Sequence, residues 1–222
     1  MKVIHYMMAI GLFAMVACSV NQPVNHPQYF EKPEEAVKKA QSDLLEAMKV
    51  GKNEFNFGID PRELKEAQIG PMIQNYELNF DALLKADQTV ALSELVDKVK
   101  NQLVPLHIQN RVITVVELKK EEKGWIITGF SSLGIAEELN YILQPVKNLV
   151  NVQIRKIEVP NLNVNIYEVQ INGEILLFTN YNNVFSLNKP ITSEQLMPIL
   201  KEEAYRFNKE FGKTLKKEKL VY

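Results

Sequence analysis

From residue 33 to 51 the chain sets Val37, Ala40, Leu44, Ala47 and Met48 at helical spacing, giving one apolar face. Pro33 suits the first helical position, Glu34 and Glu35 complement the N-terminal dipole, and Gly51 suits the C-terminal cap. NEFNFGID (53–60) alternates as a short strand, and a short helix begins at Pro61. MIQNYELNF (72–80) reads as extended, with a helical turn at DALLKA after it. The spacing of VALSELVDKVKNQ predicts a return to helix over 90–102.

The middle of the chain is β. VPLHI, VITVVEL and WIITGF predict a three-stranded meander, turned first at Gln109-Asn110 and then in the charged run KKEEKG, with Trp125 opening the third strand. GIAEELNYIL (134–143) is a helix ended by Pro145. A second β region follows in VNVQIRKIEV, NVNIYEVQI, EILLFTN and VFSL, with Asn172-Gly173 as a two-residue hairpin turn. Within 150–159 the apolar phase moves from Val152 and Ile154 to Ile157 and Val159, which predicts a bulge near Arg155-Lys156. In the last helix Thr192 and Gln195 fit a capping box, and Ile191 and Leu196 fit a hydrophobic staple. Gly212 is expected to end it before a basic tail. The fold class is therefore α+β, with antiparallel meanders packed by flanking amphipathic helices. Turn, strand, strand, helix occurs twice, a weak echo of internal duplication. The domain runs over 33–222, with a subdivision near 102 as the alternative.

The first residues follow a different rule. MKVIHYMMAIGLFAMVA (1–17) has a positive start at Lys2 and an apolar run from Met7 to Val16. That run is about half the ~20 residues a membrane-spanning helix needs, which suits a signal segment. It ends at Ala17, next to Cys18, the single cysteine of the chain. Here Met15-Val16-Ala17-Cys18 resembles the lipobox of a bacterial lipoprotein precursor, departing from it at Met15, where leucine is usual. The resemblance implies that 1–17 is a signal peptide and that Cys18 is acylated on sulfur and becomes the new N-terminus. Residues 18–32, with their prolines and amides, are then a lipidated tether. The rival reading is an ordinary secretory signal cut after Ala17. A disulfide lacks a partner in the chain, and a metal site would find only Asn21 and His26 nearby. Ser19 stands where aspartate favours inner-membrane retention in some bacteria, so the lean is toward an outer membrane.

Composition narrows the partners. Lys plus Arg number 26 against 27 Asp plus Glu, and this balance offers no field to draw in nucleic acid. Apart from the anchor, the expected partner is an envelope protein or a glycan.

Candidate chemistry is sparse. His107 is the one histidine after the tether and reads as a strand residue bonded to a neighbour or facing solvent. TGFSSLG does not match the G-x-S-x-G elbow, and Ser131 and Ser132 are expected in a strand-to-helix loop, capping the helix that follows. Zinc and calcium motifs and Gly-rich phosphate loops are absent, so no cofactor and no catalytic or metal-ligating residue is assigned. The paired glutamates (Glu34/Glu35, Glu121/Glu122, Glu137/Glu138, Glu202/Glu203) are expected to face solvent.

Tyr167, Phe178, Tyr181 and Phe185, interleaved with Asn161, Asn163, Asn165, Asn180, Asn182 and Asn183, could form a carbohydrate- or peptide-binding surface. The stronger reading is core aromatics beside turn asparagines. Lys213, Lys216, Lys217 and Lys219 could touch anionic headgroups, or simply end a solvated helix. The expectation is a membrane-anchored envelope lipoprotein with a non-enzymatic binding or scaffolding domain. One alternative is an envelope hydrolase acting on glycan or peptide through buried carboxylates or His107. Another is a protease-inhibitor or propeptide-like module, to which EEAVKKAQSDLL followed by strands bears a loose resemblance.

Overall fold

A computed structural model describes residues 27–51, 58–87, 89–146, 152–181 and 184–218. Helix α1 (Pro33–Val50) is followed by short α2 (Pro61–Glu66), β1 (Gln68–Ile69), β2 (Ile73–Leu78) and α3 (Phe80–Lys85). Strands β3 (Val96–Ile108), β4 (Arg111–Glu121) and β5 (Gly124–Phe130) form one meander and lead into α4 (Leu133–Val146). Strands β6 (Gln153–Val159), β7 (Val164–Ile171) and β8 (Glu174–Phe178) form a second, closed by α5 (Ser193–Glu218). The expected α+β class is the observed one.

All strands join one sheet in the order β5-β4-β3-β2-β6-β7-β8, with β1 alongside β3. The two meanders are antiparallel and meet through β2, which pairs antiparallel with β3 and parallel with β6. Residue 102 therefore lies inside β3, the strand that ties the first meander to the centre. Asn172 and Gly173 both have positive φ (51° and 90°), as a two-residue hairpin turn between β7 and β8 requires. At the other hairpin Gly124 (φ 138°) leaves no room for a side chain, because a Cβ would stand 2.5 Å from the Phe30 carbonyl oxygen. That closeness lets Phe30 pair its backbone with Trp125 on the outer edge of β5.

Both faces of the sheet are covered, but by different helices. On one face α1 packs Ala36, Val37, Ala40 and Leu44 on Val104, Leu106, Val116 and Leu118. The same face carries α5 and α3 over the second meander, where Leu196, Leu200 and Leu83 meet Ile157, Ile166 and Leu177. On the other face α4 lays Ala136, Leu139 and Ile142 near Leu103, Val115, Tyr167 and Phe178. The expected repeat of turn, strand, strand, helix is not kept after Asn172-Gly173, where β8 alone precedes α5; each meander instead runs strand, strand, strand, helix, and α4 and α5 lie on opposite faces.

Four local expectations are corrected. Residues 90–102 form a single 3₁₀ turn (Leu92–Glu94) and then the first half of β3, not a helix. Val96 pairs with Leu78 and Val99 with Tyr76, so three steps on β3 match two on β2. This bulge puts residues three apart on one face and so imitates helical spacing. The bulge expected near Arg155-Lys156 is absent, since β6 keeps continuous register with β7 from Gln153 to Val159. The phase changes there because a strand covered on both faces need not alternate. VFSL is a turn region rather than a strand, with Leu187 buried against the α4 side. Gly212 does not end α5, which continues to Glu218. One half of the expected capping box is present, with Thr192 N–H donating to Gln195 Oε1 at 3.0 Å, while the Gln195 N–H donates to the Thr192 backbone carbonyl; Pro198 lies inside the helix near its start. The strand expected over 53–60 falls largely outside the described residues.

Candidate functional site

The pairing register lines up one residue from each of six consecutive strands. Leu118 faces Gln102, Gln102 faces Gln74, Gln74 faces Arg155, Arg155 faces Glu168, and Glu168 faces Leu177. The row crosses the sheet on the face shared by α1 and α5, apolar at both ends and polar over the four central strands. Its ends lie under the two helical layers. Its centre lies between them and is left open.

The result is a trough of about 690 Å³. Gln74, Gln102, Gln153, Gln170, Arg155 and Glu168 supply its polar lining, and Lys120 and Trp125 stand at one end. Glu168 is 3% exposed and holds an ion pair with the half-buried Arg155. A carboxylate this deep needs its partner. Gln74 Oε1 accepts from the Tyr76 hydroxyl at 2.8 Å. The side-chain carbonyl oxygen of Gln102 is buried and has no hydrogen-bond partner among the described residues. Lys120 is exposed, with its ammonium 5.6 Å from the centre of the Trp125 ring. Trp125 is the single tryptophan of the chain.

Behind this row, on the α4 face, the sheet centre is polar again. Ser131 Oγ donates to Glu117 at 2.7 Å, Asn101 donates to the same carboxylate at 2.8 Å, and Asn75 donates to Asn101 Oδ1 at 2.7 Å. Asn75 also reaches Glu158 at 2.9 Å, and Glu158 takes Lys156 at 2.5 Å and Lys100 at 2.6 Å. Burial would raise the Glu158 carboxyl, but Lys100, Lys156 and Asn75 outweigh it and hold the group down to about 2. Burial lowers the Lys156 ammonium from its ordinary value despite the bond to Glu158. Tyr167 donates to Glu138 at 2.6 Å, and burial together with that carboxylate raises its phenol well above the ordinary value. Ser131 apart, these groups lie on β2, β3, β4, β6, β7 and α4, and one buried acceptor among them, Asn75 Oδ1, has no hydrogen-bond partner among the described residues.

Sequence-singled residues fall elsewhere. His107 lies at a smaller, mainly apolar cleft with Gly70, Pro105, Val112 and Leu143, its Nδ1 3.0 Å from the Gln109 carbonyl oxygen. Its reading as a strand residue bonded to a neighbour holds. Ser131 does sit in the loop before α4 but bonds Glu117 rather than capping the helix, a correction. Glu138 is a further one: it faces Tyr167 and Asn165 rather than solvent. Tyr167 and Phe178 are fully buried, and Asn163 and Asn172 occupy positive-φ turns, so the core-and-turn reading of the aromatic and asparagine cluster is the observed one. Asn182, Asn183, Lys219 and the proposed anchor Cys18 lie outside the described residues.

The row itself was not visible in the sequence. Gln74, Gln102, Arg155 and Glu168 come from four separate strands, and only their registers bring them together. The signal that the sequence does carry is the polar pair Arg155-Lys156 inside β6, of which Arg155 belongs to the row. No family model, curated protein or solved structure matches the chain.

Proposed function

We propose that this protein is an envelope lipoprotein, anchored through acylated Cys18, whose α+β domain binds a peptide segment or glycan in the trough between its helical layers. The observation that carries the binding half is the transverse row Gln102–Gln74–Arg155–Glu168. Four adjacent strands each contribute a polar side chain to the floor between the helical layers, with Gln74 exposed, Gln102 and Arg155 half-buried and Glu168 buried, where apolar residues would otherwise have continued the core. Such a floor offers many modest, directional contacts to a long polar ligand. The anchoring half rests on Met15-Val16-Ala17-Cys18 and the proline- and amide-containing tether.

Two measurements test the two halves. Intact-mass analysis of membrane-extracted protein should find a chain that begins at Cys18 and carries acyl mass, while Cys18→Ser should leave the acyl mass off. An unacylated soluble chain overturns the anchor. Envelope peptides and glycan fragments titrated against Trp125 emission should give a saturable change for at least one of them. No change from either class overturns the binding site.

A further inference from the structure

We infer that the ligand of the trough is an extended peptide of about seven residues laid across the strands, its acidic end at Lys120 and its basic end at Glu194. This inference rests on the trough being the binding site.

Continuity sets the length. Buried Glu168 lines both the trough and a second cavity of about 320 Å³, formed with Leu92, Ser93, Leu177, Ser193 and Glu194 at the start of α5. The two cavities adjoin on one sheet face, with Glu168 paired to Leu177, and a ligand that fills both spans β4 to β8. Five inter-strand steps of roughly 4.8 Å make about 24 Å, which an extended chain at about 3.4 Å per residue crosses in seven residues.

Charge sets the direction. Lys120 is exposed and forms no ion pair among the described residues. Arg155 and Glu168 neutralise each other midway. Glu194 is exposed at the far end, and the Thr192 hydroxyl bonded to it lowers its carboxyl, which keeps it ionised. The path thus runs from a net cation to a net anion. A peptide carries a carboxylate at one terminus and an ammonium at the other, so it matches this gradient without special side chains. A glycan would need opposite charges on its two ends.

The floor agrees with the ends. Each glutamine offers both a carbonyl oxygen and an NH₂ group, the complement of a peptide N–H and C=O. Because the chain crosses the strands, side chains recognise it, and no sheet edge is used.

The test uses membrane-extracted protein in detergent and two heptapeptide libraries. One has free termini with Lys first and Asp last; the other is acetylated and amidated with Gln first and last, so that neither end is charged. Peptides enriched from the first library should change Trp125 emission saturably and bind at least tenfold tighter than the best of the second. Lys120→Gln, Glu194→Gln and Gln102→Leu should each weaken them at least fivefold. Equal enrichment from the library with uncharged ends, or binding indifferent to all three substitutions, overturns the inference. Chitohexaose and hexagalacturonate are titrated alongside. If only these sugars move Trp125 emission, the peptide is wrong and the trough stands as a binding site. If neither class does, both readings fall.

Discussion

Asn140 on α4 holds both backbone groups of Val112 on β4: its Oδ1 accepts from the Val112 N–H at 2.7 Å and its Nδ2 donates to the Val112 carbonyl at 2.8 Å. Pairing of β5 with β4 reaches only as far as Val116, so at Val112 there is no next strand on that side. One amide side chain stands in for the missing rung and fixes α4 to the sheet. Asn140→Leu should therefore cost about 2 kcal/mol, because it strands two polar groups of a buried residue. Asn140→Asp keeps the acceptor and loses the donor, and should be intermediate at most. Urea denaturation with an unchanged m-value checks both.

The Glu158 carboxyl gives stability a defined acid dependence. Its folded value of about 2 lies below the ordinary 4.5, so its stabilisation is complete above pH 4.5 and is lost as pH falls toward 2. The amount is on the order of 3 kcal/mol, the shift converted at about 1.4 kcal/mol per pH unit. Lys156 works on a separate window. Burial lowers its value, so its charge weakens the fold until pH rises toward the ordinary 10.5. Stability should thus rise with pH in both windows. Glu158→Gln should remove most of the acid-side slope, leaving the smaller part due to the lowered Asp60 and Glu194 carboxyls, read by denaturation midpoints between about pH 2 and 5.

Arg155 and Glu168 should behave unequally when separated. Glu168 is nearly fully buried and Arg155 half-buried, so Arg155→Ala leaves an unpaired carboxylate in the sheet and should cost about 3 kcal/mol. Adding Glu168→Leu should restore most of that loss, since an apolar pair needs no counter-charge. A double-mutant cycle in urea gives the coupling directly. A coupling near zero would mean the pair is not formed in solution.

Gln102 separates stability from binding. Its buried carbonyl oxygen has no partner among the described residues, an arrangement that costs on the order of 1 kcal/mol or more. Gln102→Leu, continuing the Leu118 end of the row, should raise the thermal midpoint while weakening trough ligands. A variant that is both less stable and unchanged in binding would show that Gln102 has a structural role alone.

The elements that local chemistry could fix were legible. Pro33 opens α1 and Asn172-Gly173 makes the hairpin because each depends on its own backbone preferences, whereas Gly51 follows α1 with φ −87°, a conformation that does not require glycine. Val96 and Val99 misled because a bulge copies helical spacing. Ile154 and Ile157 misled because both faces of β6 are covered. Neither cause is contained in the window of sequence that shows the pattern.

The sequence alone determined which segments are helical at their caps, where the tight turns fall, and the α+β class, all matters of nearest-neighbour backbone energetics and apolar spacing. Only the tertiary structure decided that β2 stands at the centre between two meanders, that α4 and α5 take opposite faces, and that Gln102, Gln74, Arg155 and Glu168 form one row. The reason is physical: a row across a sheet is set by strand register, and register is chosen by the burial of both faces at once, an energy that belongs to the assembled sheet and to no single strand.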